Sequence, residues 1–168
     1  MTIQRLSDIE KVLELRYETL GEAEKDLAMT TDTFEITRIK QRLRERVLPD
    51  IRKYENEYWE VLRQEAEARS CALEEVEAEN AIVEVVQVVE RIEKQPNANY
   101  PEKIMQLLLE IRDTLNKPKE LASARAKLAL HLIPGILSYD FELDTQSALR
   151  RGLQPIKQMF KKAVDEGK

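Results

Sequence analysis

Apolar residues recur through most of this chain at alternating steps of three and four, the spacing that lays one narrow stripe along a helix. The first stripe runs Leu6, Ile9, Leu13, Arg16, Leu20, Ala23 and Leu27, with Arg16 as its one break. Ser7 and Glu10 in "SDIE" have the capping-box spacing and predict a helix start there. The polar "MTTDT" at 29–33 interrupts the pattern, and Asp32 with Glu35 predicts the next start. A second stripe follows: Ile36, Ile39, Leu43, Val47, Ile51, Tyr54, Tyr58 and Val61. Its three consecutive steps of four form a stutter, and Pro49 inside the stutter predicts a kink or restart. Two seamed helices with a short polar turn predict an antiparallel, coiled-coil-like helical hairpin over residues 6–66.

Residues 72–116 predict two further helices. The first carries Ile82, Val85, Val86, Val89 and Ile92 on one face, which Val83 and Val88 widen. The loop "KQPNANYP" separates it from the second, where Pro101 suits the first turn and Ile104, Leu107, Leu108, Ile111 and Leu115 form the stripe.

The period then changes. Leu128, Leu130 and Leu132 stand two apart, as do Tyr139, Phe141 and Leu143, on either side of Pro134–Gly135. Alternation flanking Pro-Gly predicts a small β-hairpin over 126–144. A helix from Glu120 to Ile133 followed by a loop is the competing reading. Residues 145–166 return to an amphipathic helix with Leu149, Leu153, Ile156, Phe160 and Val164, which Pro155 is expected to disturb or to restart. From Ser147 onward six basic residues (Arg150, Arg151, Lys157, Lys161, Lys162, Lys168) face two acidic ones. The fold class expected is mainly α, a single domain over 1–168 with one small C-terminal β-hairpin.

Composition agrees with helices and narrows function. Of 168 residues 35% are charged and 42% hydrophobic, with only four Gly. A net charge of −5 argues against a general nucleic-acid binder, although it leaves room for local basic patches. The single cysteine, Cys71, excludes an internal disulfide framework and suits a reducing cytosol. "MTIQRLSDIEK" carries charges where a signal peptide needs an apolar core, so a cytoplasmic location is expected. No window reaches the roughly 18 apolar residues of a membrane span.

Candidate chemistry is sparse. His131 is the only histidine; it lies among leucines, and Leu128 stands where a Glu-x-x-His metal motif needs its glutamate. The four glycines are isolated, so no phosphate loop forms. Carboxylates three and four residues from Lys or Arg read as solvated helix faces. No catalytic, cofactor or metal residue is assigned, and a non-enzyme is expected. Tyr54 and Tyr58 read as seam residues, while Trp59, one position off, is more open to a partner.

Two stretches, "RIKQRLRERVLPDIRKYENEYW" and "LIPGILSYDFELDTQSALRR", resemble helical modules of cyanobacterial signalling proteins that accompany STAND-type NTPases and related effector-associated regulators. Ile133, Pro134, Ser138, Tyr139, Glu142, Leu143, Asp144 and Thr145 carry the second likeness. The resemblance implies an adaptor or regulatory role in a bacterial signalling or conflict (immunity) system. The expected partner is a protein or a second copy of the chain, with membrane binding possible and not favoured. The expected contact residues are Leu132, Ile133, Pro134, Ile136, Leu137, Tyr139 and Phe141 of the hairpin, with Arg150 and Arg151. The alternative is a membrane-active bundle acting through the apolar hairpin and cationic last helix.

Overall fold

A computed structural model describes residues 2–69, 72–95 and 100–166. Cys71 and residues 96–99 of the "KQPNANYP" loop lie outside the described residues. The fold is mainly helical, and the described residues contain no strand. In order the elements are α1 (Thr2–Met29), α2 (Thr33–Arg42), a π-helical segment (Leu43–Val47), α3 (Leu48–Arg69), α4 (Glu75–Glu93), α5 (Glu102–Leu115), α6 (Ala122–Leu130), α7 (Ile133–Leu137) and α8 (Leu143–Glu166). The chain divides into two compact units, Met1–Tyr58 and Trp59–Lys168, with the boundary inside α3.

In the N-terminal unit, α1 starts at Thr2 and runs straight through Ser7, so the expected Ser7 cap does not form. The stripe itself is buried: Leu6, Ile9, Leu13, Leu20 and Ala23 are core residues. Arg16, the break in that stripe, pairs with Asp50 near the start of α3. Arg5 pairs with Glu57, and the Tyr58 hydroxyl donates to the Glu10 carboxylate at 2.7 Å. Early positions of α1 thus meet the middle of α3 while Arg16 meets its start, an antiparallel arrangement of the two seams. The second helix does start at Asp32, whose carboxylate accepts from the Phe34 N–H at 3.0 Å.

The stutter takes a specific form. In an α-helix each residue turns about 100°, so three successive steps of four would rotate Ile51 well away from Ile39. The wider π turn over Leu43–Val47 rotates less per residue and returns Val47 and Ile51 to the buried side. It also lies just ahead of Pro49, whose ring would otherwise crowd the preceding turn.

In the C-terminal unit α4 packs on α5, α6 and α8. Ala78, Ala81, Ile82, Val85, Val88, Val89 and Ile92 form its broad inward face. α8 runs antiparallel to it: Gly152 lies against Val88, and Gln95 near the end of α4 donates to the Thr145 hydroxyl at the start of α8, at 3.4 Å. Pro155 does not interrupt α8. The carbonyl it leaves unbonded belongs to Arg151, on the exposed side.

The β-hairpin expected over 126–144 does not form. Residues 122–130 are helical, 131–132 turn, 133–137 make a short helix, and 138–142 lead into α8. Three features explain the difference. Ala122, Ala126 and Ala129 with Leu130 and Ile133 are buried at helical spacing, and alanines carry much of that inward face while Leu128 points outward. A Pro-Gly turn of type II needs a glycine at positive φ, and no described glycine has one. Pro134 instead sits in the first turn of α7, where its missing N–H is harmless, and the Ser138 N–H and hydroxyl close that helix on the Pro134 carbonyl at 3.1 and 2.7 Å.

Candidate interaction surfaces

The polar side chains of the C-terminal unit hold helix ends. Leu121 begins α6 without a side-chain cap of its own. The carboxylate of Glu75, in the first turn of α4, supplies it, accepting from the Ala122 N–H at 2.8 Å, the Ser123 N–H at 3.1 Å and the Ser123 hydroxyl. These bonds, the Ser123 hydroxyl foremost, hold the Glu75 carboxyl below the usual carboxylate range. One turn on, Arg125 donates to the Leu115 carbonyl at the end of α5 (2.7 Å) and to Glu79 on α4 (2.6 Å). Arg112 of α5 pairs with Glu93 of α4, and His131 Nε2 lies 2.9 Å from Glu67. Each such contact joins two segments of the fold.

A second cluster gathers at the start of α8. Tyr100, Tyr139 and Phe141 meet edge to face with centroids 4.8–6.2 Å apart. The Tyr100 hydroxyl donates to Gln95 at 2.8 Å, and desolvation raises its pKa. Gln146 lies beside Thr145 and is buried; neither of its amide atoms has a partner among the described residues.

The residues expected to contact a partner divide sharply. Ile133, Pro134, Ile136, Leu137 and Phe141 are buried in the fold, so they offer no free surface. Leu132 and Tyr139 are half-buried, as is Arg150. Arg151 is exposed, its Nε donating to the Ser147 carbonyl one turn back at 3.4 Å. Trp59, whose role its place off the seam left open, is a core residue, and Leu62 replaces Val61 as the next buried position.

The exposed apolar groups lie elsewhere. Phe34 is 83% and Met29 76% exposed, on either side of the turn between α1 and α2. On α4, Val76 (67%) and Val83 (47%) face solvent, although Val83 was expected to widen the buried face. On α6 the same holds for Leu121 (66%), just before the first turn, and Leu128 (48%). The sequence signal for Met29 and Phe34 was their place off both stripes, next to a helix cap. For Val76 and Val83 it was an apolar pair seven apart, displaced from the main face.

Among the described residues no group of His, Cys, Asp and Glu is arranged to hold a metal ion, and no helix is long and apolar enough to cross a membrane. No family model matches the chain, and neither does any curated protein or solved structure.

Proposed function

We propose that the chain is a non-catalytic protein–protein interaction module that engages a protein partner through the tip of its N-terminal hairpin. The observation that carries this reading is the exposure of Met29 and Phe34 together at one end of a helical hairpin. Scattered exposed aliphatics are ordinary. A phenylalanine and a methionine on one turn supply the aromatic anchor and the adaptable neighbour that dominate small contact sites. Asp26, Asp32 and Glu35 lie within three residues of one or the other in sequence, with Lys25 and Arg38 the nearest cations, and Arg38 pairs with Glu35. An apolar pocket with a basic rim is therefore the complementary partner surface. The same acidic rim opposes docking on anionic lipid. In line with the sequence resemblance, the proposed setting is an adaptor role in a bacterial signalling or conflict system.

Site-specific photo-crosslinking tests the reading. A photoreactive phenylalanine analogue at Phe34, in the native host, is expected to give a discrete adduct that Met29→Asp removes. The same analogue at exposed Gly21 should give none. Equal adducts at both positions, or none at Phe34, would overturn the tip as a docking point. Sedimentation with anionic vesicles at low salt should leave the protein in the supernatant; co-sedimentation lost on Arg151→Glu would favour a membrane-active reading instead.

A further inference from the structure

The C-terminal unit carries its own apolar face, and its composition identifies what covers it. On α4 the inward residues Ala78, Ile82, Val85 and Val89 define one side, and Glu75 and Glu79 reach α6 from the next. Val76 and Val83, seven apart and so two turns apart on one line, lie just beyond Glu79. On α6 the inward residues are Ala122, Ala126, Ala129 and Leu130, while Arg125 reaches back towards α4. Leu121 and Leu128, again seven apart, lie just beyond Arg125. The bonds from Glu75 to Ala122 and Ser123, and from Glu79 to Arg125, fix the two helices side by side in the same direction. They bring Val76 level with Leu121 and Val83 level with Leu128. Four exposed aliphatics thus border one shallow groove.

The charges flanking that groove differ from one side to the other. On α4, about a quarter-turn beyond the valines, one line holds half-buried Glu77, exposed Glu84 and, past the level of Leu128, exposed Arg91. On the other side, α6 and the segment before it expose Lys127, Lys119 and Lys117, with Glu120, which pairs with Lys117, as the one acid among them. A two-fold axis along the helices would set α4 of one copy against α6 of another, twice. Val76 and Val83 would then meet Leu121 and Leu128, with the acidic flank opposite the basic one at both contacts. We infer that this face of α4 and α6 is a self-association surface whose occupant is a second copy of the chain. Four partly exposed aliphatics fall short of the roughly 800 Å² per partner of a standard stable interface. The dimer is therefore weak and reversible, with a dissociation constant of about 10–100 μM. The inference concerns the C-terminal unit and stands apart from the docking of a partner at the hairpin tip.

Sedimentation equilibrium of the full chain decides it. The wild type should pass from monomer to dimer between about 1 and 500 μM, a range spanning that expected constant. Val83→Lys and Leu128→Glu should each weaken dimerisation at least about tenfold, because each falls at both contacts of the two-fold pair, with melting temperatures near the parent because both positions are exposed. Mixing the two variants should restore association, because Lys at 83 of one copy then faces Glu at 128 of the other while the second contact keeps its native residues. A wild type monomeric throughout overturns the inference, as does a dimer indifferent to both variants. A mixture that stays monomeric overturns the pairing of α4 with α6. Either result leaves a crosslink at Phe34 unaffected, so the two readings fail separately.

Discussion

The two units bury apolar surface in different ways. In the N-terminal unit each helix offers a single line of residues, with ion pairs and the Tyr58–Glu10 bond placed along its margins. In the C-terminal unit α4 offers a broad face to three other helices, and α8 comes so close that a Cβ at Gly152 would lie 2.2 Å from a methyl of Val88. A one-line seam has little lateral redundancy, so it is vulnerable to charge. A close-packed cluster is vulnerable to volume. Both units enclose polar side chains, Glu55 in the hairpin and Thr145 with Gln146 in the cluster.

The largest effect expected is on the seam. Leu43 is buried in the π segment, on the side away from the exposed Arg42, Arg44 and Arg46. Leu43→Asp should cost about 4 kcal/mol, from the lost aliphatic burial and an unpaired buried charge. Urea unfolding followed by circular dichroism measures it. A midpoint close to the parent would show that the seam is not a buried line.

Volume is the corresponding probe of the C-terminal unit. Replacing glycine by alanine inside a helix normally gains up to about 1 kcal/mol. At Gly152 the added methyl meets the stiff, β-branched Val88, with its Cγ2 at 2.2 Å and its Cβ at 3.0 Å. Gly152→Ala should therefore destabilise by about 2–3 kcal/mol despite its better propensity. Val88→Ala should be deleterious alone yet rescue Gly152→Ala, a coupling that a double-mutant cycle reads directly. Additive effects would mean that α4 and α8 do not touch there.

These differences also decide what the sequence disclosed. The hairpin was legible because Leu6, Ile9, Leu13 and Leu20, and Ile39, Leu43, Val47, Ile51 and Tyr58, are large apolar or aromatic residues whose spacing admits one burial solution. Asp32 was legible because a cap is a local device. The region from Ala122 to Leu143 was not, since its helical face is made of alanines at 122, 126 and 129, which weigh little in a reading led by leucine spacing. Pro134–Gly135 looks like a turn in isolation, and only the tertiary placement of a short α7 overrides it. The capping of α6 by Glu75 is non-local, across 47 residues, and no spacing rule reaches that far. The exposed pairs at 76/83 and 121/128 were visible as apolar residues, but their exposure follows from which face the neighbouring helices cover.

Gln146 tests the enclosure of polar groups, with a smaller effect of opposite sign. Its amide is buried at the start of α8, and neither Nε2 nor Oε1 has a partner among the described residues. Leucine has a similar size and no hydrogen-bonding demand. Gln146→Leu should stabilise the chain by about 1 kcal/mol, the cost of an unsatisfied buried polar group being removed. Destabilisation in the same urea experiment would mean that the amide is satisfied in solution.

The smallest effect expected is a titration at the junction of α4 and α6, and its sign follows from the bonds to Glu75. Its carboxylate accepts from Ser123 and Ala122 at full strength only when ionised, which lowers its folded-state pKa relative to the unfolded chain. The stabilisation is therefore present above the usual carboxylate pKa of about 4 and is lost as the pH falls through the lower, folded-state value. The group is solvent-exposed, so the effect is modest and salt-sensitive. Glu75→Gln keeps one acceptor oxygen and removes the titration. At pH 7 the variant should melt slightly below the parent, and the gap should close as both are taken towards pH 3. Amide exchange at Ala122 and Ser123 localises the change, with faster exchange in the variant at pH 7 and little difference in acid. A gap that stays constant down to pH 3 would show that Glu75 does not cap α6 as a carboxylate.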